Sequence, residues 1–243
     1  MPIEFREFSK IPRFSREIIV TEKIDGTNAS INIVPIAKTY WDDQMLSYFY
    51  GPDASTWAVY AGSRTRWITP KDDNFGFAKW VEDNLIELKK LGPGHHFGEW
   101  WGRGIQRGYG LEERRFSLFN VGRWVGRQTT SEFPFLPDGA QIAPLCCHVV
   151  PILYRGLMDT PAIDTHLGWL LREGSRAAPG FMKPEGVVVC HTASGHLFKK
   201  TCEHDDEPKG ARVKKERSPQ TKPVRSLRRV QDLPIDFPER RKA

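Results

Sequence analysis

The chain has 243 residues, 39% of them hydrophobic and 27% charged, which is the composition of a globular protein with room for one substantial domain. No apolar run approaches the ~20 residues a membrane helix needs, and the opening Met1-Pro2-Ile3-Glu4-Phe5-Arg6 has no apolar signal core, so a cytoplasmic, non-membrane protein is expected. The net charge of +6 is unevenly placed: residues 209–231 carry nine Lys/Arg against one acid, a net +8, leaving −2 on the remainder.

Residues 17–34 alternate in patches (Ile18 and Val20, then Ile24, Ile31 and Ile33) and predict two strands around a glycine-containing turn. Residues 40–56 are aromatic and polar without clear period, an elaborated hairpin or loop. Residues 57–68 predict another strand pair, bending at Ala61-Gly62-Ser63. A helix is predicted over 77–91, where Phe77, Val81, Leu85, Leu88 and Leu91 share one face. Asp73 or Asn74 caps its start, and Gly92-Pro93 ends it. A second helix over 161–173 has Pro161 in its first turn, a stripe of Ile163, Leu167, Leu170 and Leu171, and Gly174 as its stop. Short strands are expected over 96–101, 116–121, 147–152, 186–191 and 196–201. Strands mixed irregularly with few helices point to an α+β fold and away from regular βαβ alternation. From Pro208 the texture turns to Pro, Ser, Lys and Arg. Residues 1–207 are therefore expected to fold, and 208–243 to form a flexible basic tail with a short helix near 224–233. The four cysteines read as reduced thiols, and Cys146, Cys147, His148, Cys190 and His191 match no zinc spacing.

The chemistry concentrates in Glu22-Lys23-Ile24-Asp25-Gly26-Thr27-Asn28. A lysine two residues before Asp-Gly at a strand end sets an amine beside a carboxylate-bearing turn. Free lysine has a pKa of about 10.4, so burial or a neighbouring cation must lower it before the amine can attack. The plainer reading is a surface lysine in a hairpin. Other segments change the balance. In order come Ser63-Arg64-Thr65-Arg66, Phe97-Gly98-Glu99-Trp100-Trp101-Gly102, Phe116-Ser117-Leu118-Phe119, Pro184-Glu185-Gly186-Val187-Val188-Val189 and Leu197-Phe198-Lys199-Lys200-Thr201. With the lysine segment these six resemble, in sequence order over about residues 20–201, the motifs of the covalent nucleotidyltransferase superfamily of ATP-dependent DNA and RNA ligases and mRNA capping enzymes.

That resemblance implies an ATP-grasp-like nucleotidyltransferase domain: two antiparallel sheets flanked by helices, with ATP between them. It implies that Lys23 takes AMP from ATP, assisted by Mg²⁺ or Mn²⁺. Glu22, Asp25, Asn28, Arg64, Glu99, Phe119, Lys199 and Lys200 would hold the nucleotide, Glu99 at a ribose hydroxyl and Phe119 stacked on adenine. Glu185 would hold the metal through water or contact the adenylate. Residue by residue, simpler readings exist: Glu99 paired with Arg103, Phe119 as core, Glu185 in solvent. Arg64, Lys199 and Lys200 supply the cations a triphosphate demands. Many relatives space the last two lysines one residue apart. Here they are adjacent, and on a strand they face opposite sides, which favours Lys199. Neither Gly102-x-Gly104 nor Gly108-x-Gly110 completes a phosphate-loop pattern. Arg103, Arg107, Arg114 and Arg115 near Tyr109 form either a surface that tracks a nucleic acid strand or a solvated loop.

Thr27-Asn28 after Asp25-Gly26, and Glu22 before Lys23, resemble phage-type RNA ligases that seal nicks, where DNA ligases and capping enzymes step to an arginine. The expected partner is nicked or broken RNA, DNA being possible, and the expected state is a monomer. Only about 40 residues follow the last motif, where ligases commonly carry a second domain. The basic tail can supply attraction instead. A minimal DNA ligase, a capping-type guanylyltransferase and a non-catalytic nucleic-acid-binding protein on a ligase scaffold are the alternatives.

Overall fold

The computed structural model describes residues 4–37, 40–51, 54–126, 139–203 and 205. The expected basic tail over 208–243, with its short helix, lies outside the described residues, and everything below belongs to the compact unit of residues 1–206. The fold is mixed α+β, rich in strands and poor in helices. Thirteen strands are β1 Glu17–Lys23, β2 Thr27–Ile36, β3 Ser47–Tyr50, β4 Thr56–Ser63, β5 Trp67–Ile68, β6 Gly94–Gly102, β7 Arg114–Leu118, β8 Trp124–Val125, β9 Gln141–Ile142, β10 Cys147–Val149, β11 Ile152–Leu157, β12 Gly186–His191 and β13 His196–Thr201. Among the described residues three α-helices join them, α1 Phe77–Asp83, α2 Leu85–Leu88 and α3 Thr160–Glu173, with a 3-10 turn over Lys89–Leu91 after α2.

The strands form a small antiparallel sheet, β11-β1-β12-β13, a larger one, β10-β7-β6-β2-β4-β3, with β5 on β4, and a two-stranded parallel pair, β8-β9. The larger sheet is antiparallel except where β10 runs parallel to β7. Alternation along each strand gives every sheet two faces. Ile31 and Ile33 of β2, Val59 and Ala61 of β4, and Phe116 and Leu118 of β7 pack on Phe77, Val81 and Leu88 of α1 and α2. On the small sheet, Ile18, Val20, Val187 and Val189 pack on Ile163, Leu167 and Leu170 of α3. The remaining faces of the two sheets meet through Ile19, Ile24, Trp101, Tyr109, Val121 and Val150. Helices therefore lie outside and the sheets meet inside.

Several expectations shift in informative ways. The strands on either side of Asp25-Gly26 do not pair: β1 belongs to the small sheet and β2 to the large one. The expected strand over 147–152 is two strands in different sheets. Pro151, which has no N–H to donate, stands at the break. Val150 N–H still bonds Leu118 O of the large sheet at 3.1 Å, while Pro151 O accepts Glu22 N–H of the small sheet at 2.9 Å. The helix over 77–91 breaks at Asn84, whose φ of −113° leaves the helical region and whose Nδ2 donates to Trp80 O at 2.8 Å. Asp73 caps the start as expected, accepting from the N–H groups of Ala78 and Lys79 at 2.8 and 3.0 Å. The bend expected at Ala61-Gly62-Ser63 falls three residues later, because β4 runs on through Ser63. Leu171, assigned to the stripe of α3, is 53% exposed.

Phe77 is fully buried between α1 and the large sheet, in ring contact with Trp80, Trp100 and Phe116. Phe77→Ala is expected to cost about 3–5 kcal/mol, whereas Leu171→Ala stays within about 0.5 kcal/mol. Denaturant midpoints at constant slope check the contrast.

Candidate active site

Lys23 is the last residue of β1, and Thr27 begins β2 in the other sheet. The chain thus crosses between sheets within Ile24-Asp25-Gly26. So short a corner forces backbone against backbone. A Cβ on residue 26 would stand 2.4 Å from Trp100 O and 2.7 Å from Trp101 Cβ, so only glycine fits. Gly26 N–H donates to Glu99 Oε1 at 3.0 Å, and Asp25 N–H to the Tyr109 hydroxyl at 2.8 Å. The corner is fastened to β6 and to the loop after it.

At this corner Lys23 Nζ donates to Glu185 Oε2 at 2.6 Å, with side chains 21% and 13% exposed. Glu185 directly precedes β12, whose Gly186 pairs with Lys23. Asp25 accepts from Arg107 Nε at 2.9 Å. Glu99 lies opposite Asn28 in the β2–β6 register, so both side chains belong to the same face. Burial pushes the Glu99 carboxyl up to about 7, against the Gly26 hydrogen bond and the charge of Lys23, while Glu185 and Asp25 push the same way as burial. Phe119 follows β7; its N–H bonds Phe97 O at 3.0 Å, and at 38% exposure its ring is not core. Alternation puts it on the Glu99 face, beside the half-exposed Phe97. Arg64 is exposed in the turn after Ser63, which pairs with Ala29 next to Asn28.

Two expected nucleotide contacts do not join this cluster. Glu22 faces away from Lys23, as neighbours on a strand must. Its buried carboxylate accepts from the Ser175 hydroxyl and from the N–H groups of Arg176 and Ala177 at 2.8 and 2.9 Å. Burial raises its pKa, and those three hydrogen bonds oppose the rise. Glu22 thereby anchors the loop after α3. Lys200 pairs with Val187 on the α3 face, where its amine holds Asp164. Lys199, opposite Val188 and through it Thr21, takes the face of Lys23 and is exposed.

Sequence reasoning left Tyr109 and Arg107 on either a nucleic-acid-tracking surface or a solvated charged loop. Tyr109 is instead 2% exposed, and Arg107 reaches the Lys-x-Asp-Gly corner. The only hint in the sequence was the glycine spacing of residues 102–110. Phe97 and His95 on the same face were missed as well. A groove of about 530 Å³ lies farther along that face, lined by Val34, Tyr60, Trp67 and His95 among others, and none of the residues around Lys23 lines it.

With this corner described, the family is plain. The RNA ligase family model matches residues 16–202, so the chain belongs to that family. No curated protein matches it. Among solved structures it is similar to a Naegleria gruberi RNA ligase: an apo mutant at 18% identity (77% of this chain, 50% of that one, TM-score 0.44), a complex with PPi at 16% (79% and 53%, 0.43) and a mutant with ATP and Mn at 18% (78% and 51%, 0.45). The chain spans about half the length of these structures.

Glu99 gives a pH prediction. Its folded value of about 7 stands above the ordinary 4.5. The folded chain therefore holds a proton that the unfolded chain has lost across that window, and stability falls as pH rises through it. Glu99→Gln mimics the protonated form and keeps an oxygen for Gly26 N–H. Its thermal midpoint is expected to match wild type near pH 4.5 and exceed it at pH 8. Equal midpoints at both pH values would refute the assignment.

Proposed function

We propose that this chain is an ATP-dependent RNA ligase that joins a 3′-hydroxyl to a 5′-phosphate through a lysyl-AMP intermediate. The observation that carries the reading is the Lys23–Glu185 contact of 2.6 Å at the inter-sheet corner, with Asp25 and Glu99 on the same corner. Paired with Glu185 the amine is held as an ammonium beside a carboxylate, and it becomes the nucleophile once it gives up its proton. The deprotonated Lys23 Nζ attacks the α-phosphorus of ATP, the N–P bond forms, and pyrophosphate leaves with the electrons of the broken P–O bond. A 5′-phosphate oxygen then takes the AMP and frees Lys23. Finally a 3′-hydroxyl attacks that phosphate, and AMP leaves.

On this reading the domain is an ATP-grasp-like nucleotidyltransferase with the nucleotide between the sheets, which two sheets meeting on their inner faces support. Phe119, on the open face, offers a ring to adenine, and Glu99 with Asn28 offers hydrogen bonds to the ribose. Arg64 and Lys199 are exposed cations suited to phosphates, Lys199 on the side of the small sheet that bears Lys23 and Arg64 in the turn after β4. Among the described residues no group of three or more His, Cys, Asp or Glu is arranged to hold a metal ion. Magnesium or manganese fits nonetheless, since such ions take one or two carboxylates together with substrate phosphates and water. Glu185 would hold the ion, which would neutralise charge on the phosphates. The four free thiols and the lack of any long apolar helix among the described residues support work in a reducing, aqueous compartment.

Incubation with ATP labelled at the α-phosphate and a divalent ion is expected to leave covalent label on denatured wild type and none on Lys23→Ala. Label from GTP in place of ATP points to a capping-type transferase. Absence of label on protein freed of bound AMP sinks the catalytic reading. Competition between nicked RNA and nicked DNA then identifies the strand.

A further inference from the structure

The loop of residues 103–113 between β6 and β7 is costly to build. Gln106 and Tyr109 both hold positive φ, 45° and 53°, a region that side-chain-bearing residues rarely adopt. Backbone outliers of this kind persist only where surrounding contacts over-determine them, and they gather at working sites. Here the contacts are specific. Tyr109 stands edge-on to Trp101 with centroids 4.9 Å apart, and lies 4.5 Å from the Phe181 ring. Its hydroxyl accepts the Asp25 N–H. Between the two strained residues, Arg107 projects a forked guanidinium. Nε donates to Asp25 Oδ2 at 2.9 Å and Nη1 to Lys183 O at 3.0 Å.

Those two acceptors are placed symmetrically. Asp25 lies two residues after Lys23, and Lys183 two residues before Glu185. One planar group therefore ties together the two backbone segments that bear the Lys23–Glu185 pair. We propose that Arg107 is a positioning residue that clamps the two segments just beyond the last β1–β12 pair, Lys23 opposite Gly186, and so aims the Lys23 and Glu185 side chains at each other. It keeps the two segments aligned during turnover, when their ion pair is gone. The inference rests on the ligase reading, because once Lys23 carries AMP its nitrogen no longer has an ammonium charge to hold Glu185. The Arg107 contacts, made to Asp25 and a backbone carbonyl, survive that change. Lysine, a single point charge, does not reproduce the planar fork.

The test is single-turnover transfer of labelled AMP from ATP to the full chain, with no nucleic acid present, across a range of ATP concentrations. For Arg107→Ala the rate at saturating ATP is expected to fall roughly ten- to hundredfold, the penalty for reacting groups misplaced by about an ångström. The ATP concentration for half-maximal rate should stay within about threefold, and Arg107→Lys should fall between wild type and Arg107→Ala. A full rate in Arg107→Ala, with only the joining of RNA ends impaired, overturns the proposal in favour of a nucleic-acid-tracking arginine. A change confined to the ATP concentration dependence overturns it in favour of a nucleotide contact. If Arg107→Ala does not fold, Arg107→Lys decides alone: a lowered rate at unchanged ATP dependence supports the proposal, and a wild-type rate overturns it. Wild type that takes no label sinks the ligase reading and this inference with it. Labelled wild type beside a fully active Arg107→Ala sinks the inference alone.

Discussion

The passage of the chain from one sheet to the other in three residues, Ile24-Asp25-Gly26, constrains everything around Lys23. A corner that tight places Gly26 against the carbonyl of Trp100, and no side chain fits there. It also leaves backbone N–H groups with no ladder to join, and a buried N–H must find a partner. Glu99 and Tyr109 accept them. The carboxylate at the centre of the site is thus drawn in by a backbone need, and its burial is a consequence. The second crossing, at Pro151, lies beside the first through the Glu22 N–H bond to Pro151 O. The two sheets are therefore stitched where the Lys23 amine stands.

The electrostatics follow from that crowding. Asp25, Glu99 and Glu185 surround one lysine and one arginine. Three ionised carboxylates against two cations would leave a partly buried net negative charge, unsuited to receiving a triphosphate. Burial lifts Glu99 to about 7, so below that pH the cluster is close to neutral and Glu99 can donate a hydrogen bond. Arg64 and Lys199 stay outside it, exposed to solvent. The opposite carboxylate, Glu22, belongs to a different economy: three donors from residues 175–177 hold it, and it fixes the loop behind β1.

Much of this was legible in the sequence because it depends on local chemistry. The short strands expected over 186–191 and 196–201 are β12 and β13 to the residue, and Pro161 and Gly174 bracketed α3 to within one residue. The adjacency of Lys199 and Lys200 told that they face opposite sides, since strand alternation is a local rule; which of them shares the Lys23 face followed only from the pairing of β13 with β12 and β1. What could not be read depends on which strands pair. Nothing local distinguishes a turn within one sheet from a corner between two, so β1 and β2 read as neighbours. The strand expected over 147–152 ran straight through Pro151, and neither the break nor the change of sheet there was read. Arg107 looked like one more surface cation because its partners, Asp25 and Lys183, lie 82 and 76 residues away. Glu22 looked like part of the nucleotide site because it adjoins Lys23, although adjacency on a strand sends side chains apart.

The position of β13 has a bearing on solubility. It is an outer strand of the small sheet, and Leu197 and Phe198 on it are 68% and 59% exposed. A short apolar strand at the border of the sheet, with no further strand beside it among the described residues, is a template onto which another chain can add. Lys199 puts an exposed ammonium on one side of that border, while Lys200, on the other, is neutralised by Asp164. An incoming strand would have to desolvate the Lys199 ammonium, which is therefore placed as a gatekeeper against intermolecular β-pairing.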